Sequence, residues 1–165
     1  MRTLHLGARA FIPVALAGAV LFSLAPSTPA AASTATEAQQ IVRIAESKLG
    51  DPWRYGAMGP SRFDCSGLVI YAYRRAGDGA RIHAPYLRSA RSLYRYFKAR
   101  GLASRSNPRL GDLVVWGYGT HIGIYIGNGK AISTLISGVH IHRVFAVTAR
   151  FTAYLHTGMS TKPAS

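Results

Sequence analysis

Two residues far apart in the chain have the types and surroundings for nucleophilic chemistry. Cys65, the sole cysteine among 165 residues, stands in Arg62-Phe63-Asp64-Cys65-Ser66-Gly67-Leu68-Val69-Ile70. A loop rich in Gly and Pro (residues 50–60) ends just before it, and an apolar, helix-compatible run (residues 68–76) follows. A thiol at a helix N-terminus sits at the positive end of the macrodipole, an arrangement expected to favour thiolate. Backbone N–H groups at the same place are donors for a developing oxyanion. A lone cysteine forms no intramolecular disulfide, so the competing reading is a small buried hydrophobe.

The second is His121, at the head of His121-Ile122-Gly123-Ile124-Tyr125-Ile126. Its three isoleucines alternate onto a core face, which leaves His121, Gly123 and Tyr125 on the other. Glycine there gives room for a neighbour to approach. A histidine at such a strand end can act as general base to a thiol, though by itself it reads equally as a partly exposed strand terminus. His140 and His142 are two apart and share a strand face. Without adjacent Cys, Asp or Glu they do not make a zinc site, so no metal or cofactor is expected. Trp53 and Tyr55, on the loop before Cys65, could wall a cleft or anchor the loop.

The elements that must position these residues fall in two blocks. Residues 33–49 read as an amphipathic helix with a Thr34-x-x-Glu37 capping box and Gly50 at its end. The helix after Cys65 runs to Gly77. Residues 86–100 form a further helix with Leu87, Ala90, Leu93, Tyr94 and Phe97 inward and a basic stripe of Arg88, Arg91, Arg95 and Lys98 opposite. From Leu110 the period becomes alternating, with strands expected at 113–116, 121–126, 131–136, 139–144 and 151–155. Helices followed by antiparallel hairpins predict an α+β domain, its sheet of about five strands.

Arg2 and Arg9 ahead of an apolar stretch (residues 11–24), then Pro29-Ala30-Ala31-Ala32-Ser33, have the form of a signal peptide over 1–32 cleaved after Ala32. The apolar stretch falls short of the ~20 residues that span a bilayer, so no stable membrane span is expected. The domain is then expected over 33–158, with a disordered tail over 159–165, secreted or held at the cell envelope. Without Arg2 and Arg9 the chain has 18 basic against 6 acidic residues, a net of +12. Such a charge attracts polyanions, and export favours an anionic wall polymer over nucleic acid.

Taken together, Arg54-Tyr55-Gly56, Phe63-Asp64-Cys65-Ser66-Gly67-Leu68-Val69, Gly111-Asp112-Leu113-Val114 and His121-Ile122-Gly123-Ile124-Tyr125-Ile126-Gly127 resemble, in order and spacing, the NlpC (NlpC/p60) family of papain-like cysteine peptidases of the bacterial cell wall. The resemblance implies Cys65 as nucleophile, His121 as base and the Cys65 N–H in the oxyanion hole. It implies a substrate site lined by Tyr55, Asp64 and Ser66, with Asp64 suited to a cationic group such as a free α-amine. The implied substrate is the peptidoglycan stem peptide, cut after γ-D-glutamate. Two departures stand out. The position of the family's base-orienting His, Asn or Gln is Ser133, and residues 82–89 match poorly the Pro-Arg-Thr/Ser-Ser run that usually precedes the next helix.

Hairpin parity decides whether Ser133 reaches His121. A two-residue Asn128-Gly129 turn would pair Gly127 with Lys130 and turn Ser133 away. A three-residue loop would pair Ile126 with Lys130 and put Ser133 on the face of His121. The odd loop is expected, because it puts the family-matching position where a base-orienting residue must be. A two-residue Ser137-Gly138 turn would then pair His142 with Ser133, giving a chain His121, Ser133, His142. Three functions remain open at this level: a peptidoglycan endopeptidase, an amidase or acyltransferase on the same scaffold, or a wall-binding module without turnover.

Overall fold

The structure, a computed structural model, describes residues 35–160. The signal peptide expected over 1–32 lies outside the described residues. Three helices, α1 (Glu37–Glu46), α2 (Cys65–Arg75) and α3 (Ala90–Ala99), precede a six-stranded sheet. Its strands are β1 (Ala103–Ser104), β2 (Leu113–Trp116), β3 (His121–Gly127), β4 (Lys130–Leu135), β5 (Gly138–Arg143) and β6 (Phe151–Leu155). Their order is β1-β6-β2-β3-β4-β5, and every pairing is antiparallel. The sheet has one strand more than expected. The addition, β1, has two residues, too few for alternation to register, and exists through its pairing with β6.

The helices cover one face of the sheet. Ile41 and Ala45 of α1, Leu68, Val69 and Ala72 of α2, and Leu93 and Phe97 of α3 meet Val115, Ile122, Ile124 and Ile132 in one fully or almost fully buried cluster. A smaller cluster of Val114, Trp116, Ala131, Val144, Phe151 and Tyr154 lies apart from it. All four residues of β2 are buried, as a central strand covered on both faces requires.

Helix starts differ from expectation for local reasons. The cap of α1 is Thr36, whose hydroxyl accepts from Gln39 N–H while the Gln39 side chain accepts from Thr36 N–H. Glu37 is thereby freed to bind Arg81 and the backbone N–H of Ser160. α3 begins at Ala90, not 86, with Ser89 as its cap, and Leu87 N–H instead donates to the His83 carbonyl. The C-terminal boundary also moves: Met159 is buried in the main cluster and Ser160 bonds Glu37, so residues 159 and 160 are part of the domain. Residues 161–165 lie outside the described residues.

Asp112 holds the chain end to the sheet. Its carboxylate is buried and accepts from the N–H groups of Arg109 and Thr157 and from Nδ1 of His156. Such a buried carboxylate is stable because nearly every lone pair has a donor.

Candidate active site

Cys65 is the first residue of α2, and Asp64 is its N-cap. The cap carboxylate does more than close the helix. Oδ1 accepts from Gly67 N–H at 2.6 Å and from the Ser66 hydroxyl at 3.1 Å, while Oδ2 accepts from Gly56 N–H at 3.0 Å. The Tyr55 loop is thus tied to the helix end that carries the thiol. Asp64 N–H also donates to the Ala57 carbonyl at 2.9 Å. That carbonyl sits so close to α2 that a Cβ on Gly67 would lie 2.0 Å from its oxygen, so the glycine after Ser66 is required by packing.

Arg88 completes this arrangement. Its Nη1 and Nη2 donate to the two carboxylate oxygens of Asp64 at 3.2 and 2.6 Å, and Nη1 also donates to Ser66 Oγ at 2.7 Å. Both oxygens of Asp64, the carboxylate expected to suit a substrate ammonium, are thus held by a two-pronged guanidinium within the protein. By spacing alone Arg88 belongs to the basic stripe with Arg91, Arg95 and Lys98. The signal that separates it from Arg91, Arg95 and Lys98 is its place just before the Ser89 cap, outside the helix.

His121 opens β3, its ring over Trp116 with centroids 5.2 Å apart. Its Nε2 lies 2.9 Å from Ser133 Oγ. The hairpin achieves this by a route other than the expected loop. Gly127 does pair with Lys130 around Asn128-Gly129, both with positive φ as a tight primed turn demands. A bulge between Tyr125 and Gly127 then inserts one residue, so that Tyr125 faces Ala131 and Ile124 faces Ile132. The bulge restores the parity that the turn alone would have lost.

The next hairpin also departs from expectation. Leu135 pairs with Gly138 and Ser133 with His140, not with His142. His142 reaches the serine diagonally instead, with Nε2 2.8 Å from Ser133 Oγ. His140 turns to the Ser137 hydroxyl at 3.0 Å. Ser133 is fully buried, so its hydroxyl is shared between the two imidazoles and has no access to solvent.

Cys65, His121, Tyr55, Asp64, Ser66, Arg88 and His142 all line one cleft of about 730 Å³. Leu135 and Ile136 from the β4–β5 hairpin line it too, as do Ala146, Val147 and Ala149. This last segment falls between the strands expected at 139–144 and 151–155, and nothing in its small apolar residues marks a site. Trp53 is 41% exposed and Tyr55 86%, so both are rim residues and neither anchors its loop in the core.

Burial pushes the Cys65 thiol up, and the Asp64 carboxylate adds to the effect. The N–H groups of Ile122, Ser66 and Cys65 itself pull the other way without prevailing. The helix terminus therefore does not produce the thiolate that position alone suggests. His121 is pulled down to about 4, first by burial and then by the neighbouring His142. Both shifts favour the neutral forms of the two groups. With Nε2 engaged by Ser133, Nδ1 is the other ring nitrogen of His121.

The comparisons with known proteins agree on one group. The model described as NlpC/P60 family matches residues 50–157. Over 116 residues the chain is 39% identical to a probable endopeptidase of Corynebacterium glutamicum (strain R), covering 68% of this chain and 50% of that protein. It is 40% identical over 113 residues to murein DD-endopeptidase MepH of Escherichia coli (strain K12), covering 62% of this chain and 40% of that one. The chain thus spans half or less of the length of these relatives. Among solved structures, the peptidoglycan hydrolase RipB of Mycobacterium tuberculosis superposes with a TM-score of 0.56 at 26% identity, over 73% of this chain and 63% of that one. An NlpC/P60 family protein from Bacillus cereus gives a TM-score of 0.61 at 22% identity, over 73% of this chain and 40% of that one, a likeness of fold. With the family's model covering most of the ordered domain and its papain-like fold present, the chain belongs to the NlpC/P60 family.

Proposed function

We propose that this chain is an exported cysteine peptidase that hydrolyses the peptide stems of peptidoglycan. The observation that carries the reading is the single cleft holding Cys65 at a helix N-terminus and His121 with its Nε2 engaged by Ser133. The names of the relatives support the substrate class. As Cys65 Sγ attacks the scissile carbonyl carbon, His121 Nδ1 takes the thiol proton, so no standing ion pair is needed. The Cys65 N–H donates to the resulting oxyanion. The tetrahedral adduct collapses to a thioester, His121 returns the proton to the departing amine, and water then releases the acid by the same steps in reverse.

Tyr55, Ser66 and the Asp64–Arg88 pair form the floor and rim on which the stem is held, with the bond after γ-D-glutamate placed at Cys65. Residues 1–32 direct export and are removed after Ala32. No helix among the described residues is long and apolar enough to cross a membrane. The test is digestion of purified walls by wild type and Cys65→Ala, with released fragments identified by mass spectrometry. Soluble peptides ending in γ-D-glutamate are expected from wild type alone. Equal release by Cys65→Ala would falsify the reading, and full wall adsorption by both without release would assign a binding module.

A further inference from the structure

We propose that His142 is a positioning residue that sets, through Ser133, which nitrogen of His121 carries the proton. The proposal rests on the peptidase reading of Cys65 and His121. A serine hydroxyl cannot set that choice alone, because it donates and accepts with equal ease. The direction comes from the far end of the chain, where His142 Nδ1 lies 3.1 Å from the carbonyl oxygen of Arg143. A carbonyl only accepts, so Nδ1 carries the hydrogen and the Nε2 of a neutral His142 is bare. That bare nitrogen, 2.8 Å from Ser133 Oγ, takes the hydroxyl proton. Ser133 then presents lone pairs to His121 Nε2 at 2.9 Å, which must be an N–H. With the proton on Nε2, Nδ1 of His121 is bare and works as the base. One backbone carbonyl thus orders three side chains.

The surroundings keep the chain in this sense. Ser133 is fully buried, and the Trp116 ring lies against both imidazoles, at 5.2 Å from His121 and 5.6 Å from His142. A charged His142 would reverse the order, because both its nitrogens would donate. Ser133 would then donate to His121 Nε2 and drive the His121 proton to Nδ1, where it blocks the base. The titratable and charged groups sharing the cleft with His142 are His121, Cys65, Tyr55, Asp64 and Arg88, and Arg143 follows it on β5. Residues 113–165 contain no Asp or Glu, so none of β2 to β6 brings a carboxylate to His142.

The experiment combines the ¹⁵N shifts of the His121 ring, which separate a protonated from a bare nitrogen, with kinetics on a stem peptide. Wild type is expected to carry the proton on Nε2 of His121. His142→Ala should scatter it between the two nitrogens and lower kcat about tenfold with KM little changed. His142→Gln supplies an amide oxygen as acceptor and cannot be protonated. It should restore the Nε2 proton and most of kcat. A proton on Nδ1 in wild type overturns the proposal. So does a His142→Ala protein with unchanged shifts and kcat, or equal losses in both variants with the proton still on Nε2. The shifts are read without turnover, so they stand even if Cys65→Ala releases wall peptides and the peptidase reading fails.

Discussion

Gly123 of β3 and Ser133 of β4 meet so closely that a Cβ on the glycine would lie 2.9 Å from the serine Cβ and 2.6 Å from the Ile132 carbonyl oxygen. The absent side chain is what lets Ser133 stand beside β3 and meet the His121 ring two residues away. Its φ is not among the positive ones, so packing, not backbone conformation, demands glycine here.

Gly123→Ala is therefore expected to destabilise the domain by about 1–3 kcal/mol through overpacking. It should also move Ser133 off His121 and lower turnover at least about tenfold, by analogy with other losses of base orientation. Thermal unfolding and stem-peptide kinetics on the one variant read both effects.

Arg88 grips Asp64 through two parallel contacts, and lysine supplies charge without that fork. Arg88→Ala should raise KM about tenfold, because the Tyr55 loop and Ser66 lose a shared partner. Arg88→Lys should recover only part of this. Equal KM for the three proteins would remove Arg88 from the substrate site.

The ionisation of His121 bears on stability. Its folded-state value, about 4, lies below the ordinary 6.5, so folding favours the neutral ring. The contribution is whole above pH 6.5, declines as pH falls below that, and is lost once pH has passed through 4. A shift of this size corresponds to at most about 3 kcal/mol. Urea midpoints at pH 7.5 and 4.5 should diverge more in wild type than in His121→Asn.

Only Arg81 and Arg88, among the described Arg and Lys residues, form ion pairs with carboxylates. Arg91, Arg95 and Lys98 are exposed on one stripe of α3 and have no such partner. Reversing all three to Glu should weaken adsorption to walls bearing anionic polymer about tenfold at low salt. Cleavage of a short soluble stem peptide should be unchanged. If adsorption holds, the stripe is only a solvated face.

The sequence alone determined the features that depend on local periodicity and on residue type. Isoleucines at 122, 124 and 126 defined the core face of β3, and the break before Cys65 marked a helix start. Those signals act within a few residues, where side-chain geometry leaves little choice. The tertiary structure decided what depends on pairing between distant segments. Arg88 could be told from its neighbours on the stripe only once the chain had folded it against Asp64. The parity that brings Ser133 to His121 came from a bulge that no residue type announces, and His142 arrived by a diagonal across β4 and β5. The state of Cys65 was decided there too, because desolvation depends on the whole surrounding fold and outweighed the local pull of the helix terminus.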